Sequence, residues 1–203
     1  IRDPEMSRGL GDVYKRQDTY TDKYYNTQDL ENVMIIPEAY QLNDDSRDAF
    51  YGSYDFEKTA QQAILETQKL KRAVGKLVLK EKQQVAYTQS ASFTVSYNVP
   101  KSFNVATGST RSADVHAVTA NDQNLAGNAD SQDYTIFYDY IFATTGDGGY
   151  SISGLSLTGE DSQGATFTKD GIPNLPVHQN KRTIVSGSYM LVAPLPDLSL
   201  IHI

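Results

Sequence analysis

Cysteine and tryptophan are both absent from the 203 residues. Without cysteine the chain can form no disulfide framework, no thiolate zinc cluster and no thiol nucleophile. No apolar run approaches the roughly 20 residues that cross a bilayer as a helix. Positive charge is scarce as well: 18 Lys and Arg stand against 25 Asp and Glu, a net charge of −7. Nowhere do the basic residues cluster, so nucleic acid and anionic lipid lack the concentrated Lys/Arg they require as partners. Neither a GxxxxGK[ST] loop nor a GxGxxG turn between strand and helix is present, which removes the usual support for a nucleotide cofactor. What the chain does have is Thr, Ser, Tyr, Val and Asn, the usage of twisted sheets with polar outer faces and many turns. The lack of cysteine fits either a reducing cytosol or the surface of a bacterium whose exported proteins rely on large β cores, and the β-rich composition favours the second.

Both ends read as foreign. Met6 to Gln17, MSRGLGDVYKRQ, back-translates to a transposase sequencing adapter, and Leu198 to Ile203, LSLIHI, to the reverse complement of its end. Residues 1–17 and 198–203 are therefore expected to be non-native and to lie outside the fold. With the true start unseen, the lack of a signal peptide carries no information.

Between those flanks the periodicity is that of strands. In Ser92 to Val99, Phe93, Val95, Tyr97 and Val99 alternate with Ser92, Thr94, Ser96 and Asn98, and Pro100 then ends the pairing. Ala73 to Lys80 places Ala73, Gly75, Leu77 and Leu79 on one face and Val74, Lys76, Val78 and Lys80 on the other. Tyr134 to Ala143 is apolar on both faces apart from Thr135 and Asp139, which predicts either a central, doubly covered strand or a strand with one face as a contact surface. Tyr150 to Leu157 slips phase at Gly154, predicting a β-bulge. Asp170-Gly171 predicts a turn before a last strand in Arg182 to Val192. Asn32 to Ile36, Ala113 to Val118 and Ala165 to Thr168 give weaker strand patterns. Glu57 to Arg72 has helix formers with apolar spacing at Ala60, Ala63 and Ile64, but its second half alternates into the Ala73 strand, so Glu57 to Glu66 reads as helix or loop and Thr67 onward as strand. The pattern predicts an all-β chain: a Greek-key β-sandwich over residues 70–197, preceded by the tail of a second, truncated β-domain over residues 18–69. Phe93, Val95, Tyr97, Leu77, Leu79, Ile136, Phe142, Ile152 and Leu155 form its expected core.

Little in the chain carries catalytic chemistry. Asp122, Asn124, Gly127 and Asp133 mimic the spacing of a calcium loop, but Ala126 takes a ligand position and strands flank the segment, so a solvated loop is the better reading. His116 and His178 have no Cys, second His or nucleophile elbow beside them, and the carboxylates are scattered over turns. No catalytic residue, metal or cofactor is expected. One aromatic row stands out: Tyr134, Tyr138 and Tyr140 are expected to share a face with Ile136 and Phe142. Such a row either packs within the sandwich or binds a glycan or a partner protein.

Five segments, in order, resemble the fimbrillin family of Bacteroidales: NDDSRDAFYG (Asn43 to Gly52), KRAVGKLVL (Lys71 to Leu79), YNVPKSFNVATG (Tyr97 to Gly108), FYDYIFA (Phe137 to Ala143) and PVHQNKRTIVSGSYM (Pro176 to Met190). The resemblance implies two transthyretin-like β-sandwiches, with residues 18–69 ending the N-terminal one and 70–197 forming the C-terminal one. It also implies an outer-membrane lipoprotein or fimbrium at the cell surface, a structural role in adhesion without catalysis, and other pilus subunits as partners through donor-strand exchange. The competing expectation is a monomeric carbohydrate-binding or pilus-anchoring sandwich that uses the tyrosine face against surface glycans.

Overall fold

The structure, a computed structural model, describes residues 22–52, 67, 69–111, 113–146, 149–172 and 174–190. The adapter-like flanks (residues 1–17 and 198–203) and the Glu57 to Glu66 segment lie outside the described residues. In chain order the strands are β1 (Tyr25–Asn26), β2 (Val33–Ile35), β3 (Phe50–Tyr51), β4 (Lys71–Arg72), β5 (Val74–Glu81), β6 (Ser90–Pro100), β7 (Ser102–Asn104) and β8 (Ser109–Thr110). They continue as β9 (Val115–Gln123), β10 (Thr135–Phe142), β11 (Tyr150–Ile152), β12 (Leu155–Asp161), β13 (Thr166–Ile172), β14 (Leu175–Val177) and β15 (Arg182–Gly187). One short helix, α1 (Gln84–Gln89), follows β5.

The alternation in β6 dictates its place. Phe93, Val95, Tyr97 and Val99 are buried, whereas Ser96 and Asn98 face solvent. β6 sits inside the antiparallel sheet β13-β12-β6-β9. Opposite lies the sheet β10-β5-β15, in which β10 runs antiparallel and β15 parallel to β5. The two layers meet through aromatic rings: Phe137 of β10 stacks on Phe93 and Tyr97 of β6, each at 5.9 Å between centroids. A third sheet, β1-β2-β7-β8, covers one end, with Phe103 of β7 lying 5.5 Å from Phe142 and 4.9 Å from Tyr51. The architecture is an all-β sandwich, and all nine residues of the expected core are buried. Val33, Ile35, Leu42 and Tyr51 belong to the same core cluster as Leu77, Phe93 and Ile136, so residues 22–52 and 69–190 share one interior.

Several local expectations change. β10 is the edge of its sheet rather than a central strand, because β5 takes the middle position. Its free side is closed by loops instead: Asn43 N–H donates to Tyr138 O at 3.0 Å, and Ala126 and Gly127 N–H donate to Ile136 O and Thr135 O. Both faces of β10 are nonetheless largely buried, which is what its sequence reflects. Gly154 (φ +75°) is not a bulge within one strand but the point where the chain leaves β11 and enters β12 in another sheet. Asp170-Gly171 is not a turn. It lies within β13, where the register against β12 jumps between Leu155 and Leu157 and Gly171 takes φ +65°. Helix α1 has no counterpart in the sequence pattern; six residues are too few for a helical period, and burial of Ala86 and Tyr87 is what holds it.

Candidate functional site

Asp139 interrupts the apolar run of β10, and a carboxylate only 1% exposed needs partners. Arg47, 2% exposed, supplies the charge: its Nη1 donates to Asp139 Oδ1 and, at 2.8 Å, to Gln41 O, while Nη2 donates to Tyr140 O at 3.0 Å. The hydroxyls of Tyr40 and Tyr97 both donate to Asp139 Oδ2, at 2.5 and 2.7 Å. Tyr25 donates to Arg47 O at 2.7 Å, and the Arg47 guanidinium lies 3.7 Å over the Tyr40 ring. Burial, then the Asp139 charge, pushes the Tyr40 and Tyr97 hydroxyls well above the usual phenol range. Burial opposes the Arg47 charge, but Asp139 and the neighbouring tyrosines outweigh it and raise its pKa. With Arg47, Asp139 and Tyr97 buried and Tyr25 and Tyr40 half-buried, the cluster pins the segment 40–47 to β10 and β6. Sequence reasoning misses Arg47 as a site residue; the signal is a lone aspartate in an apolar strand, which demands a cation from elsewhere.

The tyrosine row does not form. Thr135 pairs with Lys80 while Phe137 pairs with Leu79, so Ile136 is an inserted bulge residue and the side-chain phase flips across it. Tyr134 accordingly packs on Tyr87 of α1, 5.5 Å between rings, away from the other two. Tyr138 and Tyr140 remain neighbours in an edge-on pair at 6.3 Å. Their hydroxyls are already used: Tyr138 donates to Asn43 O and Tyr140 to Asp45 Oδ1, both at 2.8 Å. Lys76 Nζ bonds the same Asp45 oxygen at 2.7 Å and sits 3.8 Å from the Tyr138 ring centre. Hydrogen bonds from Lys76 and Tyr140 hold the Asp45 carboxyl below its ordinary range. What sequence suggests as an open platform is thus a pair of rings tied down by residues 43–45.

The calcium-like loop behaves as a loop. Asn128 caps a single 3-10 turn at Ala129–Ser131, and Asp133 pairs with Lys80 at 2.8 Å and accepts from Thr135. Among the described residues no group of three or more His, Asp or Glu converges as a metal site. His178 packs against Gly149, far in sequence from His116.

A groove of about 520 Å³ lies between residues 37–42 and β9. Tyr40 and Leu42 line one wall; His116, Val118, Thr119 and Asn121 line the other. The His116 ring leans on Tyr40 at 5.2 Å, and burial followed by the Arg47 charge lowers its pKa, favouring the neutral imidazole. Tyr40 belongs both to the buried Asp139 cluster and to the lining of this groove.

No curated protein and no solved structure matches this chain. A family model does match, over residues 11–195, and by that match the chain belongs to DUF6562, a family of unknown function.

Proposed function

We propose that this protein is a non-catalytic structural subunit of a bacterial surface fimbria that contributes to cell adhesion. The single observation behind this reading is the edge position of β15. Among the described residues that strand pairs with β5 on one side only, and the ladder is bracketed by Lys76 N–H to Lys181 O and Lys82 N–H to Gly187 O. In this register the odd-numbered residues bond β5, while Arg182, Ile184 and Ser186 turn their backbone N–H and C=O groups outward. Ile184 adds a side chain that is 48% exposed. An open edge with an exposed apolar side chain is a template for strand addition by another subunit. The resemblance to fimbrillins in five ordered segments points the same way.

The test is assembly of the protein purified from its native cell surface. SDS-resistant ladders are expected, and Ile184→Pro, which removes one outward N–H and stiffens the edge, should abolish them. Protein from the native cell surface that stays monomeric by light scattering at high concentration overturns the reading.

A further inference from the structure

Among the described residues, the long strands at sheet edges are β9, β10, β13 and β15. Two of them are protected. β10 is closed by backbone donors from Asn43, Ala126 and Gly127. β13 carries Lys169 and Asp170 beside a jump in its register, and charge and irregularity both discourage pairing with another chain. That leaves β9 and β15, one on each layer of the sandwich. Val115 to Asn121 and Thr183 to Gly187 contain no Asp, Glu, Lys or Arg, so neither edge is guarded by charge along its middle.

β9 presents the same backbone pattern as β15. Lys101 N–H to Asp114 O fixes its alternation, so Ala117 and Thr119 turn N–H and C=O outward, followed by the Asn121 N–H. His116 to Asn121 all line the groove although successive side chains point to opposite faces of β9. The groove therefore follows the edge of the strand and leaves room beside those backbone groups. Charge then selects the partner and its direction. Exposed Lys181 and Arg182 open β15, and exposed Asp122 stands near the end of β9. An antiparallel ladder with Ile184 opposite Thr119 sets Ser186 opposite Ala117 and Arg182 opposite Asn121, and brings Lys181 to Asp122. A parallel ladder would carry the two cations to the other end of β9, where the backbone of Asp114 bonds those of Lys101 and Arg111. Pairing like with like gains no charge pair, because β15 has no acidic residue and β9 no Lys or Arg.

We propose that β15 of one copy adds antiparallel to β9 of the next, so that the sheet β13-β12-β6-β9 continues into β15-β5-β10 of its neighbour. This rests on the fimbrial reading above and names the strand that the edge of β15 meets. The contact is heterologous, so a free β9 remains at one end of the assembly and a free β15 at the other, and growth stays open.

The natural lack of cysteine makes the contact testable by cross-linking. Ala117→Cys and Ser186→Cys, produced as two separate copies in one native host cell, bring one thiol each. A disulfide between positions 117 and 186 then joins two molecules, and the ~5.5 Å between Cα atoms of such a pair suits it. Mass spectrometry of the oxidised, digested polymer should find the 117–186 link and no 117–117 or 186–186 link. Lys181→Glu/Arg182→Glu should lower its yield about tenfold, and adding Asp122→Lys should restore it. Polymers that lack the 117–186 link, carry the like-with-like links instead, or are not restored by Asp122→Lys overturn the proposal and leave the fimbrial reading standing. Protein that forms no polymer at all overturns that reading, and this contact with it.

Discussion

The carboxylate of Glu81 accepts the backbone N–H of Met190, 109 residues further along, at 2.9 Å. The same oxygen takes the Tyr189 N–H at 2.7 Å, while the other takes Lys82 and Gln83 N–H, both at 2.9 Å. Glu81 is 2% exposed, so four backbone donors, rather than a cation, compensate its burial. This single side chain anchors the chain beyond β15 to the end of β5.

Glu81→Ala should therefore destabilise by about 3 kcal/mol or more, since it strands buried N–H groups at roughly 1–3 kcal/mol each. Glu81→Gln should be intermediate, because its amide keeps one acceptor and turns an N–H₂ toward the other donors. Urea midpoints measure both. A cost below about 1 kcal/mol for Glu81→Ala would show that the latch is open in solution.

The Arg47–Asp139 pair predicts strong non-additivity. Removing either partner alone leaves a buried charge and should cost about 3–5 kcal/mol, whereas Arg47→Met/Asp139→Leu should recover much of that loss. A double-mutant cycle by chemical denaturation measures the coupling. Strictly additive single effects would contradict a paired, enclosed cluster.

His116 gives a pH dependence with a definite sign. Burial first, then the Arg47 charge, depresses its folded pKa; Asp139 opposes them, Lys101 adds to them, and Glu38 opposes least. The unfolded chain, with His near pKa ~6.5, takes up the proton first. Stability from neutral His116 is then fully present above about pH 6.5 and is lost as pH falls through the lower folded value. Thermal melts from about pH 7.5 to 5 should fall more steeply for the wild type than for His116→Gln. Parallel curves would remove His116 from the pH response.

Two glycines separate backbone strain from crowding. Gly171 has φ +65° and open space where a Cβ would stand, so Gly171→Ala should cost only the left-handed penalty, about 1–2 kcal/mol. At Gly75 a Cβ would collide with His178 O and stand 2.7 Å from Val177, so β5 and the 177–178 backbone must part. Gly75→Ala is expected to be the costlier change by denaturant midpoint. The reverse order would mean that the 177–178 segment yields easily.

Phe93→Ala tests the interface between the layers. The ring is fully buried and stacked on Phe137, and its loss should cost about 3–5 kcal/mol. A change below about 0.5 kcal/mol would place that face of β6 in solvent.

The sequence by itself determined the fold class and the core, because burial of alternate side chains is a local code. Ser90 to Pro100 shows its inner face in its own spelling, and so do Leu77 and Leu79 between Lys76 and Lys80. It also held the marks of the buried cluster, an aspartate in an apolar strand and an arginine in Asn43 to Gly52, without saying that they meet. Only the tertiary structure decided which strands are neighbours and in what register. The bulge at Ile136 exists because β10 must fit β5, and it alone parts Tyr134 from Tyr138 and Tyr140. β10 reads as central because both of its faces are covered, yet loops at Asn43 and Gly127 close its edge, and periodicity is blind to edges. The groove at β9 joins residues 37–42 to 116–123 across a long stretch of intervening chain, a contact set by packing of whole layers, and no local pattern encodes a distance of that kind.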